Sequence, residues 1–415
     1  MIRMLRAALV LALLLAVAGC GGGPRHGRVT IMVPWSGQEF AAFYTVLRQF
    51  ELSSGIDVDV QVTRAQTQQL DAAVSADAPP DLAVLPSPAA VTHYAETGAA
   101  KALKGVSTRA FLQPFRGLAT GENGGVYALP VKADVKSLVW YDSERTPRTP
   151  RTYASLPGLL LALGDKGRTW CLGLESGPTS GWPGADWIAD LLLARPGGTR
   201  AYEDWLTKDR AWTSDAVRKS WTAWHDLVRD STKSAATQGP SEAAHGMTAS
   251  PPKCALAHGA RSALGLEGAR YRFVPSSPTR ALEVSADFIG KFTDDNDQSA
   301  MALLRYLAGA AAQRLWVEQQ GGSALSPNGQ VSPGEYTDAA RQGIAKMLRP
   351  EAGYTLCFSA ADAMEADVSA AFYRAVLDYS ADPGLLGTLL KNLDVVQGKL
   401  HGSPVPRAKL CSIPS

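Results

Sequence analysis

The sequence predicts an α/β fold whose first sheet is parallel with helices on both faces, and three observations predict it. Strand and helix patterns alternate over the first hundred residues. The strand runs are short and rich in β-branched residues. The segments between them carry either helical apolar spacing or a polar helical composition. Val29-Thr30-Ile31-Met32-Val33 is the first strand run. After a turn at Pro34–Gly37, Phe40, Phe43, Tyr44, Leu47 and Phe50 fall on one helical face, and Gly55 stands where that helix should stop. Ile56 to Val62 alternates apolar and polar residues as a strand. A polar helix follows from Gln66 to about Ser75, broken by Ala78-Pro79-Pro80. Asp81–Leu85 reads as the third strand and Ala89–Glu96 as the next helix. In such βαβαβ sheets ligands bind beyond the carboxyl ends of the strands. That singles out the loops Pro34–Glu39 and Pro86–Pro88.

The middle of the chain changes character. Nine of the ten tryptophans lie between Trp140 and Trp316, and seven of those between Trp170 and Trp224, which marks a region with its own aromatic core. Trp205, Trp212, Trp221 and Trp224 sit on helices over 200–232, and the spacing of Trp205, Trp221 and Trp224 assigns those three to the core. A Ser-, Gly- and Pro-rich stretch from about Ser231 to Pro252 reads as a loop. Leu303, Leu304 and Leu307 line one later helix. Val368, Phe372, Val376 and Tyr379 line another, closed by Asp382-Pro383-Gly384. The tail from Gly402 reads as loop.

The amino terminus predicts export. Arg3 and Arg6 precede an apolar run from Ala7 to Ala18, shorter than the ~20 residues a membrane-spanning helix needs. Ala18 and Gly19 before Cys20 resemble a bacterial lipobox, in which the peptidase cuts before the cysteine and its thiol carries diacylglycerol. Residues 1–19 are therefore expected to be a signal peptide and 20–28 a Gly-rich, lipid-anchored tether on the outer face of a membrane. With Arg3 and Arg6 set aside, 39 basic residues balance 39 acidic ones, so nothing points to nucleic acid. A hydrophobic content of 46% with 19% charged residues is that of an ordinary globular protein, and its length suits two or three domains.

Catalytic and metal signatures are missing. The histidines form no HExxH or comparable zinc pair, and there is no Walker loop. Gly173-Leu174-Glu175-Ser176-Gly177 puts its serine one place too late for a nucleophile elbow, and two prolines in Ser250-Pro251-Pro252-Lys253 prevent an S-x-x-K helical turn. Asp294-Asp295-Asn296-Asp297 opens like a calcium loop. Its sixth position is Ser299 and its twelfth Arg305, so it reads as the acidic start of a helix. Besides Cys20, the cysteines are Cys171, Cys254, Cys357 and Cys411. In an oxidising compartment these four allow three disulfide pairings.

Five segments together resemble the bacterial family 1 extracellular solute-binding proteins, the substrate receptors of ABC sugar importers, including maltose- and alpha-glucoside-binding proteins. They are Val29 to Val62 with its Trp-Ser-Gly turn; Ala78-Pro79-Pro80-Asp81 with Leu85–Pro88; and Tyr127 to Tyr141, YALPVKADVKSLVWY. The remaining two are Trp170–Gly177 with Ser180–Trp187, and Gly321–Asn328 with Ser359–Met364. The third and fourth are the specific ones.

The resemblance implies a two-lobed periplasmic-binding-protein-like fold (type II). Each lobe would be a mostly parallel sheet flanked by helices, with crossover segments as the hinge and ligand held between the lobes. Carried over, residues 29–133 and 286–326 form the N-terminal lobe, 134–285 and 327–400 the C-terminal lobe, and 401–415 a tail. It implies no enzymatic activity, no cofactor and no metal. It also implies a carbohydrate ligand, an oligosaccharide first, delivered by a monomer to the transmembrane subunits of an ABC permease. Asp134 matches the acidic position after the family's hinge strand and should accept sugar hydroxyls, although a hinge salt bridge with Lys132 or Lys136 competes. Gln38, Glu39 and Ser87 sit at the two strand-to-helix loops where polar contacts are expected. Trp35, Tyr127, Trp182 and Trp316 are the candidates for stacking on a sugar ring. The family's pairing suggests Cys171–Cys254, leaving Cys357–Cys411. One departure is Pro252–Ala260, PKCALAHGA, where relatives carry bulkier groups; small residues there would widen the cleft or change its ligand. The competing expectations are the same fold holding a polyamine or phosphodiester, a ligand sensor, and, most remotely, an envelope glycoside hydrolase.

Overall fold

The computed structural model describes residues 27–63, 65–121, 123–145, 170–320, 322–399 and 405–415. The expected signal segment and Cys20 lie outside the described residues. The chain opens with β1 (Gly27–Val33), α1 (Gly37–Ser54), β2 (Ile56–Val62), α2 (Gln66–Ser75), β3 (Leu82–Leu85) and α3 (Pro88–Glu96). Both β2 and β3 pair with β1 in parallel, as the alternation predicts. Phe43, Val46, Leu47 and Phe50 form the buried stripe of α1. This helix stops because Gly55 takes a left-handed φ of 71°, which lets its N–H reach the Glu51 carbonyl at 2.9 Å. At α3 the Ser87 hydroxyl accepts from the Ala90 N–H, and Pro88 occupies the first turn.

Next come α4 (Phe115–Leu118), β4 (Ala128–Val135), β5 (Leu138–Asp142), α5 (Trp182–Leu193), α6 (Gly198–Leu206), α7 (Asp215–Val228) and α8 (Pro240–His245). They are followed by β6 (Leu256–His258), α9 (Arg261–Leu264), β7 (Tyr271–Pro275), β8 (Ala281–Lys291), α10 (Asp297–Ala308) and α11 (Ala310–Val317). The chain ends with α12 (Ala339–Met347), β9 (Thr355–Phe358), α13 (Ala360–Ala363), α14 (Ala366–Ala381), α15 (Leu386–Lys399) and β10 (Cys411–Ser412).

The long strand β8 joins the two lobes. Its last residues, Phe288–Lys291, pair antiparallel with β3 in the N-terminal lobe. Its first residues, Ala281–Val284, pair in parallel with β9 in the C-terminal lobe. Along its other edge β4 runs antiparallel from Ala128 opposite Gly290 to Val135 opposite Val284. The β4–β8 ribbon is thus the crossover between lobes, and an isolated bridge from Ala133 to Leu325 brings the third crossing segment beside it. Among the described residues of the C-terminal lobe, parallel pairing is confined to β8 with β9 and a bridge between Trp170 and Leu256, while β5 pairs antiparallel with both β6 and β7.

The helices carry the second core. Trp205, Trp212, Trp221 and Trp224 are buried around Phe372 and Tyr379 of α14. Two sequence expectations change. The stretch 231–252 folds into helical turns around α8 instead of an open loop, because Pro240 can start a helix at its first turn and Ala243 and Ala244 bury inward. The tail is not all loop: β10 adds to β9, with Cys411 opposite Cys357. The disulfides are Cys171–Cys254 and Cys357–Cys411, the pairing the resemblance implies.

Candidate functional site

Polar residues alternate along the crossover ribbon. Lys132, Asp134 and Lys136 occupy every second position leading out of β4, and Glu283, Ser285 and Asp287 do the same on β8. Lys132 lies opposite Asp287, Asp134 opposite Ser285, and the Lys136 N–H donates to the Glu283 carbonyl at 2.8 Å. A β-bulge between Pro130 and Lys132 sets this register. It places two β4 residues against one on β8 and so turns the Lys132 side chain toward Asp287.

Three carboxylates surround the Lys132 ammonium: Glu39 at 2.5 Å, Asp134 at 3.2 Å and Asp287 at 3.7 Å. Glu39 reaches in from the first turn of α1, beyond the carboxyl end of β1. On the C-terminal lobe the Ser262 hydroxyl, at the start of α9, donates to Asp134 Oδ1 at 2.9 Å. The cluster therefore draws on α1, β4, β8 and α9. The lysine side chain is 6% exposed, against 15% for Asp134, 20% for Asp287 and 29% for Glu39, so the acidic side chains lie nearer to solvent than the ammonium. Burial disfavours the ammonium, but Asp134, Glu39 and Asp287 overcome it and hold the Lys132 pKa well above the usual lysine range. Burial pushes the Asp287 carboxyl up to about 6, with Glu39 and Asp134 adding repulsion and Lys132 and Trp35 opposing it. Burial also raises Asp134, against the pull of Lys132.

A second cluster lies further along the same ribbon. The Lys136 ammonium meets Asp186 of α5 at 3.0 Å, Asp362 of α13 at 3.0 Å and the Ser359 hydroxyl at 2.9 Å. The Trp182 ring centroid is 5.9 Å from this ammonium. Glu283 is fully buried beneath, accepting from the Ala360 N–H at 3.0 Å and from the Tyr202 hydroxyl at 3.3 Å. Burial, then the charge of Asp186, raise the Glu283 pKa well above the carboxylate range.

These positions sort the sequence expectations. Asp134 and Glu39 come together in the cluster, and Asp134 pairs with Lys132 as the competing reading had it. Gln38 is exposed in the first turn of α1. Ser87 caps α3. Tyr127 is half-buried, its hydroxyl accepting from Asn123 Nδ2 at 2.8 Å, with one edge of its ring against Gly121 and Gly125. Trp182 is half-buried at the start of α5.

Burial corrects the other two stacking expectations. Trp316 is 1% exposed and packs against Phe43 and Trp35, so neither ring face is open to a ligand. Trp35, 4% exposed, stands edge-on to Phe43 and Trp316, and its indole N–H donates to Asp287 Oδ2 at 3.0 Å. It orients a carboxylate from within the core. Asp287, Ser262, Asp186 and Asp362 were missed. The polar alternation of Lys132, Asp134 and Lys136 was visible, but their partners come from distant segments.

A two-lobed α/β fold whose crossover strands run between the lobes is the architecture that solute-binding proteins share. Residues 45–341 match the bacterial extracellular solute-binding protein family, and the chain belongs to it. It is 28% identical over 386 residues to the alpha-glucosides-binding periplasmic protein AglE of Rhizobium meliloti, covering 85% of this chain and 83% of that protein. It is 26% identical over 388 residues to the osmoprotective compounds-binding protein GgtB of a Synechocystis strain, covering 87% of this chain and 90% of the other. Among solved structures, the bacterial solute receptor AcbH, described as preferring β-D-galactopyranose exclusively, superposes with a TM-score of 0.77 at 18% identity. That match covers 90% of this chain and 98% of AcbH.

Proposed function

We propose that this chain is the lipid-anchored substrate receptor of an ABC importer, capturing a carbohydrate, an oligosaccharide first, between its lobes and delivering it to the permease. The observation that carries this reading is the row of partly exposed carboxylates, Glu39, Asp134 and Asp287, held by Lys132 where the crossover strands meet α1 and α9. Such acceptors suit sugar hydroxyls, which donate hydrogen bonds, and the half-buried Trp182 supplies a flat apolar face for the ring's C–H groups. Gln38, Ser87 and Tyr127 complete the proposed contact set; Trp35 and Trp316 support it from the core. The names of AglE and AcbH, a glucoside binder and a galactose receptor, favour the same class. The role needs no catalytic step, and the chain acts as a monomer. Its lobe boundaries are those given by the resemblance, 29–133 with 286–326 and 134–285 with 327–400, the tail joining the second lobe through β10.

A specific observation favours a second reading. With Trp35 and Trp316 in the core, the proposed cleft has fewer aromatic platforms than expected and an excess of carboxylates, which suits a cationic solute such as a polyamine. A thermal-shift screen of the protein from Gly21 decides between the readings, using mono- and oligosaccharides with polyamines and amino acids as controls. A ligand at a hundred times its Kd stabilises by about 2.7 kcal/mol. A rise confined to one glycan class that Asp134→Ala or Trp182→Ala abolishes supports the carbohydrate reading, and a rise with polyamines alone replaces it. Anchoring is tested by radiolabelled palmitate incorporation, which Cys20→Ala should eliminate.

A further inference from the structure

We infer that the carboxyl-terminal segment is a strap linking the two lobes outside the crossover strands, and that it limits how far the lobes separate. Residues 405–412 are fastened to the C-terminal lobe on both sides of one short bend. On one side, the Arg407 guanidinium pairs with Asp204 at 2.6 Å and Asp209 at 2.8 Å, at the end of α6 and just beyond it. On the other, β10 pairs with β9, the Phe358 N–H donates to the Leu410 carbonyl at 2.7 Å, and the Cys357–Cys411 disulfide makes the attachment covalent. Val405 and Leu410 are buried with the core that runs through the crossover.

Between those anchors the chain reaches the other lobe. The Lys409 ammonium donates to the Thr120 carbonyl, and its aliphatic stem lies against Gly117 of α4. That region belongs to the N-terminal lobe by its own bonds. Thr120 bridges Val126, the Leu103 N–H donates to the Val126 carbonyl at 2.7 Å, and Tyr127 N–H donates to the Ala119 carbonyl at 3.0 Å just ahead of β4. The strap thus adds a link between the lobes that is separate from β4, β8 and the segment at Leu325. The crossover strands bend as the lobes move. A charged group hydrogen-bonded to a carbonyl on the opposite lobe must break or lengthen when they part. The disulfide matters because without it Lys409 would be tied to a loose end, and the restraint depends on the oxidising compartment.

The test measures lobe separation in the unliganded protein, by pulsed electron resonance between spin labels carried on non-natural residues at Leu52 and Val395. Both side chains are exposed, one on α1 and the other on α15. Wild type, Lys409→Met and the double variant Cys357→Ser/Cys411→Ser are compared without reductant, each checked for intact fold by circular dichroism. The expected result is a longer and broader distance distribution in both variants. Arg407→Met, which leaves the disulfide and Lys409 in place, should keep the wild-type distribution. A Lys409→Met protein that folds and shows the wild-type distribution overturns the inference, and this variant decides even if the cysteine variant does not fold.

Discussion

Replacing Lys132 with methionine tests the organisation of the site most directly. The substitution keeps much of the side chain's volume and removes its charge. At an effective dielectric of ~20, a unit charge pair at these contact distances is worth roughly 4–7 kcal/mol before desolvation is counted. Most of that is offset by the cost of burying the ions, so the net loss expected is about 3–5 kcal/mol, typical of removing one partner from a buried ionic cluster. The loss has a sign in pH. Asp287, already near 6 with the lysine present, moves higher without it, because burial and repulsion from Glu39 and Asp134 are then less opposed. The folded state then takes up a proton that the unfolded chain, with an ordinary carboxylate, releases at lower pH. Stability of Lys132→Met must therefore fall more steeply than wild type as pH rises through 6. Thermal unfolding of both proteins at pH 5 and pH 8 reads this out. The expected result is a modest deficit at pH 5 and a large one at pH 8. Equal deficits at both pH values would refute the idea that the ammonium holds the carboxylates ionised.

Three further outcomes follow from the packing. Trp316→Ala should cost about 3–5 kcal/mol of stability as a core truncation, without the ligand-selective loss of binding expected of a stacking residue; paired unfolding and binding curves separate the two. Asp81 is pushed up by burial but held below the ordinary carboxylate range by bonds from the Thr30 N–H and the Thr30, Thr293 and Asn296 side chains. Its contribution is present above that range and lost as pH falls through its lowered value, so Asp81→Ala should cost roughly 3 kcal/mol at pH 7 and less in acid, as acid unfolding would show. Serine at both Cys171 and Cys254 opens a link spanning 83 residues, and the loop-entropy limit for its loss is about 4–5 kcal/mol, seen as a lower unfolding midpoint.

The local elements were legible along the chain, because their signals are carried by neighbouring residues. The strand alternation of Ile56–Val62, the apolar stripe carried by Phe43, Leu47 and Phe50 and the stop at Gly55 each need only a few consecutive side chains to be read. Tyr44, predicted on the same face, is nonetheless 43% exposed, because the buried stripe runs through Ala42 and Val46 instead. The burial of Trp205, Trp221 and Trp224 followed from helical spacing in the same way. The polar rhythm of Lys132, Asp134 and Lys136 was equally visible, and the resemblance over Tyr127–Tyr141 pointed to Asp134. What those residues meet is set by contacts between distant segments. Lys132 faces Asp287, 155 positions away, because a bulge after Pro130 shifts the register of β4 against β8. A bulge is a property of two paired strands and leaves no periodic mark in either one. Trp35 and Trp316 went to the core for a related reason. A tryptophan in a loop or on a helix packs wherever the opposing surface leaves room, and Phe43 supplies that surface to both. The alternation along one strand is a local fact, whereas the three carboxylates around one ammonium exist only after α1, β4 and β8 have been brought together.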